Sequence, residues 1–141
     1  MARALIVIDL QNDYFPAGFL PLNDAEAVEK RVVAAIEHSR QVGDRIILIR
    51  HISRADSGLF GTGSPGIDLR PAITEAAGDA PIVTKAVADA FQDTDLAEHL
   101  DGISKLLICG MMTQNCVVFT AMSQAAGPFY VTVISDLCTA P

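Results

Sequence analysis

Apolar residues gather in short unbroken runs at residues 4–8 (ALIVI), 45–49 (RIILI), 81–84 (PIVT), 105–109 (KLLIC) and 130–134 (YVTVI). These runs are rich in β-branched residues and lack strict alternation with polar ones, so each predicts a strand covered on both faces, as in a parallel sheet. Between the first two runs the period changes. Asn23 or Asp24 is placed to cap a helix, acidic residues follow in its first turn, Val28, Val32, Ala35 and Ile36 share one face, and Gly43 stops it. A second helix is predicted at Asp95–Leu100, capped by Thr94 and stopped by Gly102. A third runs from about Gln114 to Ala126, capped by Thr113 and stopped by Gly127 and Pro128. Strand and helix alternate. That order implies right-handed crossovers and a doubly wound, Rossmann-like α/β fold in three layers, a mainly parallel sheet with helices on both faces. In such folds ligands bind beyond the C-terminal ends of the strands, so chemistry is expected just after each run.

The chain of 141 residues, half of them hydrophobic, fits a single domain spanning 1–141 with no repeat, linker or low-complexity segment. His51 to Ile67 reads as a long glycine-rich loop, a length that is often functional. A net charge of -7 and 10 scattered Lys and Arg residues leave no electrostatic footprint for nucleic acid or an anionic membrane surface. Charges or prolines interrupt every apolar run well before the roughly 20 residues of a membrane span. The N-terminal run reaches Asp9 without a small-residue cleavage site, so it reads as a strand and not as a signal peptide. The odd set Cys109, Cys116 and Cys138, without CxxC spacing, points to reduced thiols in a cytoplasmic compartment, with one free to act as a nucleophile.

Three reactive groups fall at predicted strand ends: Asp9 after the first, Lys85 after the third, and Cys116 shortly after the fourth, in the first turn of the helix that Thr113 would cap. Taken singly, each has a plain reading: a loop-capping carboxylate, a solvated surface ammonium, a small buried hydrophobe. Taken together they make an activated nucleophile, in which helix dipole and ammonium favour the thiolate and a carboxylate takes the proton.

The segments ALIVIDLQNDYF, IILIRHIS, VTKAVADAFQDTDLAEHL and LLICGMMTQNCVVFTAMSQA resemble the isochorismatase-like cysteine hydrolases, which include nicotinamidases, N-carbamoylsarcosine amidases and isochorismatases. The most specific part is Gly, two residues, Thr, two residues, Cys-Val. The resemblance implies that Asp9, Lys85 and Cys116 form a catalytic triad that cleaves a small amide-like C–N bond through a thioester. It also implies backbone N–H groups of Met112 and Cys116 as an oxyanion hole, and a cis peptide between Met111 and Met112 after Gly110. Gln11, Phe15, Phe91 and the Met111 and Met112 pair match positions that often line the substrate pocket in relatives, with core packing as their other reading. The loop SGLFGTGSPGID resembles a specificity loop of some members, in which Phe60 would close over the substrate, with a plain surface excursion as its other reading.

GLFGTGSPG lacks the GK[ST] ending of a phosphate-binding loop. His38, His51 and His99 have no paired metal spacing, and Ile49 stands where the nicotinamidase branch has a metal-binding Asp, so neither metal nor other cofactor is expected, and His51 is expected to hydrogen-bond within the strand-end crevice. Members of the family usually continue beyond the SDLCTAP region. On this resemblance the domain is expected to lack a last strand and helix, and the open flank of the fifth strand favours a homo-oligomer. A vinyl-ether hydrolase of the isochorismatase type, a truncated non-catalytic relative that forms assemblies, and a thiol redox sensor are the competing functions. Cys116 favours acyl-enzyme chemistry on a small-molecule substrate.

Overall fold

The computed structural model describes residues 2–141. Five strands, β1 (Arg3–Ile8), β2 (Arg45–His51), β3 (Ile82–Lys85), β4 (Lys105–Met111) and β5 (Tyr130–Thr139), form one sheet in the order β3-β2-β1-β4-β5. Every neighbouring pair is parallel. The chain winds outward from β1 through β2 to β3, then returns to lay β4 on the other side of β1. The direction of winding therefore reverses between β1 and β4, and a crevice at the C-terminal ends of those two strands is where such a fold binds ligands.

The unbroken apolar runs are explained by a core on each face. Leu5 and Val7 of β1 join Ile46 and Leu48 of β2 against Val28, Val32 and Ile36 of helix α1 (Ala25–Val42). The alternate residues Ala4, Ile6 and Ile8 join Ile47, Ile49 and Ile108 against Leu96, Leu100 and Val117 on the opposite face. Successive strand side chains point to opposite faces, so only a sheet covered on both sides requires both sets to be apolar.

Helix α1 ends at Gly43, which takes a φ of 83°. Asp24 precedes its first turn but makes no side-chain cap bond. The second predicted helix is a short 3-10 segment, Leu96–Leu100, with Leu96 N donating to Thr94 Oγ1 at 3.3 Å. A helix that the periodicity did not suggest, α2 (Pro71–Ala77), has proline at its first position and Gly78 behind it. The third predicted helix is broken into a π turn at Thr113–Val117, helix α3 (Val118–Ala121) and a 3-10 turn at Gln124–Ala126. Val117, Val118 and Thr120 are β-branched and poor helix formers, and Thr120 Oγ1 instead accepts from Ala90 N at 3.0 Å. Strand β5 continues past the predicted end, with a register shift between Ile108 and Gly110. It is an edge strand, with Tyr130 and Val133 exposed beside Phe119 and Met122. Among the described residues no helix is long and apolar enough to cross a membrane.

Candidate active site

Asp9 follows β1 directly, with a φ of 56° and its backbone N donating to Ile49 O at 3.1 Å. Lys85 closes β3 in register with His51, the last residue of β2. Cys116 sits in the π turn that leaves β4, where Met112 O accepts from both Asn115 N at 3.0 Å and Val117 N at 3.3 Å. Gly110 permits this assembly. Its φ is +120°, and a Cβ there would stand 2.0 Å from Ile8 O, so only glycine lets the end of β4 press against the end of β1 beside Asp9. The Met111–Met112 peptide is cis, as the resemblance implies.

The three strand-end residues converge. Lys85 Nζ lies 3.1 Å from Asp9 Oδ2 and 3.3 Å from Cys116 Sγ, and the ion-paired side chains of Lys85 and Asp9 are inaccessible to solvent. The surface-lysine reading of Lys85 is thereby excluded. The ammonium approaches Asp9 off the line of a hydrogen bond, and neither carboxylate oxygen has an aligned donor. The contact is an ion pair by distance, and the carboxylate keeps capacity to accept a proton.

Burial raises Asp9 above the ordinary aspartate value, against the opposing pull of Lys85. Burial also pushes the Cys116 thiol up to about 12, helped by the Asp9 charge and opposed by Lys85. The resting site therefore holds a thiol and not the thiolate that a helix N-terminus was expected to favour. Burial and the Asp9 charge outweigh Lys85 here, and Cys116 precedes α3, a helix of only four residues with little dipole to oppose them. A carboxylate whose pKa burial has raised is a better proton acceptor, so the proton can leave sulfur during attack and need not have left beforehand.

His51 hydrogen-bonds within the strand-end crevice, and its partner there is Lys85. Its Nδ1 stands 2.7 Å from Lys85 Nζ, and burial together with Lys85 lowers the imidazole to about 4, so it is neutral. Gln11 is fully buried and spends its amide on structure: Nε2 donates to His51 O and to Ile67 O, both at 2.8 Å, and Oε1 accepts from His51 N at 2.8 Å. It braces β2 and the following loop against the end of β1.

The aromatic positions separate into two groups. Phe60 is buried, edge-on to Tyr14 at 4.8 Å and 5.4 Å from the His51 ring, so the 51–67 loop folds inward here. Asp13 holds it there, accepting from Phe60 N at 2.7 Å and Phe19 N at 3.2 Å. Phe15 and Met111 lie in the core on the α1 face, with the Arg70 guanidinium 4.1 Å above the Phe15 ring. Phe91 packs on the opposite core, the one that contains Cys116. The largest cavity, about 610 Å³, lies away from the triad, between Asn12, Phe19, Gly66 and Arg70. The cavity that reaches Lys85 is about 170 Å³ and is lined also by Ile52, Arg54 and Gln92. Of the three converging residues, the smaller cavity is lined by Lys85 alone.

Asp9, His51 and Cys116 place donor atoms within 4.8 Å of one another, a spacing that a metal could bridge. The donor set does not fit one. The Lys85 ammonium already occupies the His51 lone pair and neighbours both other ligands, and a cation there would meet it directly.

A parallel α/β domain with a buried carboxylate, ammonium and thiol at its switch point is the class that fold and site define. The isochorismatase domain model matches residues 3–141, and the chain belongs to that family of hydrolases. It is similar to the uncharacterised isochorismatase family protein YddQ of Bacillus subtilis, at 30% identity over 98% of this chain and 78% of that one. The crystal structure of an Oleispira antarctica protein of the same family superposes with a TM-score of 0.89 at 31% identity, covering 99% of this chain and 76% of that one. Relatives with functional descriptions include a streptothricin hydrolase of Streptomyces noursei and a probable inactive nicotinamidase of Arabidopsis thaliana. The first is 28% identical over 84% of this chain and 43% of its own length. The second is 29% identical over 97% of this chain and 80% of its own length.

Proposed function

We propose that the protein is a cysteine hydrolase that cleaves a small amide-like C–N bond through a thioester, with Asp9, Lys85 and Cys116 as its triad. The observation that carries this reading is the Lys85 ammonium within 3.1 Å of Asp9 Oδ2 and 3.3 Å of Cys116 Sγ, inside a buried cluster. Sulfur adds to the substrate carbonyl while its proton passes to Asp9, so the negative charge moves from the carboxylate to the carbonyl oxygen, and Lys85 stabilises the charge that builds on sulfur as the proton departs. The tetrahedral oxyanion is received by the backbone N–H groups of Met112 and Cys116, where loss of one donor costs about 3 kcal/mol in the barrier. Collapse breaks the C–N bond as Asp9 returns the proton to the departing nitrogen, leaving a thioester. Asp9 then takes a proton from water, the hydroxyl adds to the thioester, and the acid leaves as the thiol is restored.

The streptothricin hydrolase relative supports hydrolysis as the chemistry. A second, non-catalytic reading draws on the Arabidopsis relative and on the low exposure of Cys116, 2%. The two separate on a panel of primary amides and N-carbamoyl compounds assayed for ammonia release. Hydrolase action predicts turnover of at least one member that falls about 1000-fold or more in Cys116→Ala. Turnover that survives Cys116→Ala unchanged defeats the thioester route, and a panel with neither turnover nor an acyl adduct on Cys116 supports the non-catalytic reading.

A further inference from the structure

We propose that His51 is a positioning residue that holds the Lys85 ammonium, through Nδ1, in the orientation from which it serves Asp9 and Cys116; this rests on the triad reading above. The topology creates the need. Lys85 ends β3 while Asp9 follows β1, and β2 lies between those strands. The lysine side chain must therefore cross the end of β2 to reach the site, and the residue it crosses is its register partner, His51.

A lysine stem is long and freely rotating, so a fixed ammonium needs partners on more than one side. Here it has three neighbours: hydrogen-bond partners in His51 Nδ1 at 2.7 Å and Cys116 Sγ at 3.3 Å, and an ion-pair contact with Asp9 Oδ2 at 3.1 Å. The imidazole contact is the shortest. An ammonium has no lone pair to offer, so it must donate and Nδ1 must accept, which places the imidazole proton on Nε2. His51 is itself rigid, because Gln11 holds its backbone N–H and C=O and the Phe60 ring lies 5.4 Å from its own. The chain of support runs from Gln11 through His51 to Lys85 and so to the reacting sulfur.

The test is the second-order rate of Cys116 labelling by iodoacetamide at one fixed pH, resolved by peptide mass spectrometry. It compares the parent, Lys85→Met, His51→Asn, His51→Leu and the double variant His51→Leu/Lys85→Met, each shown folded by circular dichroism. His51→Leu should slow labelling about tenfold, the equivalent of one pK unit in the thiol. His51→Asn, whose Oδ1 can stand near the place of Nδ1, should restore a rate close to the parent. In the Lys85→Met background His51→Leu should change nothing, because the residue acts through the lysine. The inference is overturned by a parent rate in His51→Leu, by an equal fall in both backgrounds, or by His51→Asn falling as far as His51→Leu. A parent rate in Lys85→Met removes the triad reading itself, and the inference with it. Should His51→Leu not fold, nitrogen NMR of the parent decides: a bare Nδ1 and a protonated Nε2 on His51 sustain the inference, and the opposite tautomer ends it.

Discussion

Asp9 and Lys85 are each buried, and the attraction between them does not fully offset the loss of water around the carboxylate, which is why Asp9 is raised despite an ammonium 3.1 Å away. Such a pair contributes to function more than to stability. Breaking it strands a charge: Asp9→Asn alone or Lys85→Met alone should lower unfolding free energy by about 3 to 5 kcal/mol. Removing both charges together should return most of that loss, and asparagine tolerates the left-handed φ of 56° at residue 9. Denaturant melts of the three variants check this; a double variant no more stable than the singles would show that the charges are not paired. Asp9, Lys85 and Cys116 were legible because strand ends can be read from apolar runs and the family motifs carry the same residues. The role of Asp13 and the partner of His51 were not legible, since each depends on a contact distant in sequence, with Phe60 for one and Lys85 for the other.

At the scale of elements, the turn after β4 decides whether a site exists. Gly110 brings β4 against the backbone of Ile8, and the π turn beyond it carries Cys116 toward Asp9 and Lys85. Gly110→Ala would meet Ile8 O and a φ of +120° at once, and combining backbone strain with overpacking gives a cost of at least about 2 kcal/mol. Differential scanning calorimetry should show a clearly lower Tm, and an unchanged melt would mean that the approach of the two strands is not tight. The strands and α1 were legible because each core face imposes its own apolar period. The broken third helix was not: its stop at Gly127 holds, but Thr113 lies inside the π turn and makes no cap, with Met112 before it, and Thr120 and the β-branched run redirect the backbone between. Helix α2 escaped notice because its seven residues offer too short a period, although its proline and following glycine were a signal.

At the scale of the whole molecule, the site is assembled from the ends of β1, β2, β3 and the turn after β4, so its electrostatics and the stability of the fold are linked. His51 takes up a proton near 6.5 when unfolded but only near about 4 when folded. Between those values the unfolded chain binds more protons, so this group's contribution to stability, complete above 6.5, is lost as pH falls toward 4. Asp9, raised in the fold, works in the opposite sense as pH climbs above 3.8 and is common to parent and variant. The parent Tm should therefore drop more steeply than that of His51→Asn across this window, and parallel curves would contradict a neutral buried His51. The same assembly makes the central claim testable without knowledge of the substrate, through iodoacetamide labelling of Cys116 at a fixed alkaline pH in the parent, Asp9→Asn and Lys85→Met. The Asp9 charge raises the thiol and Lys85 lowers it, so Asp9→Asn should label faster than the parent and Lys85→Met slower. Equal rates in all three proteins would mean that these residues do not act as one group, and the account of the site would fall.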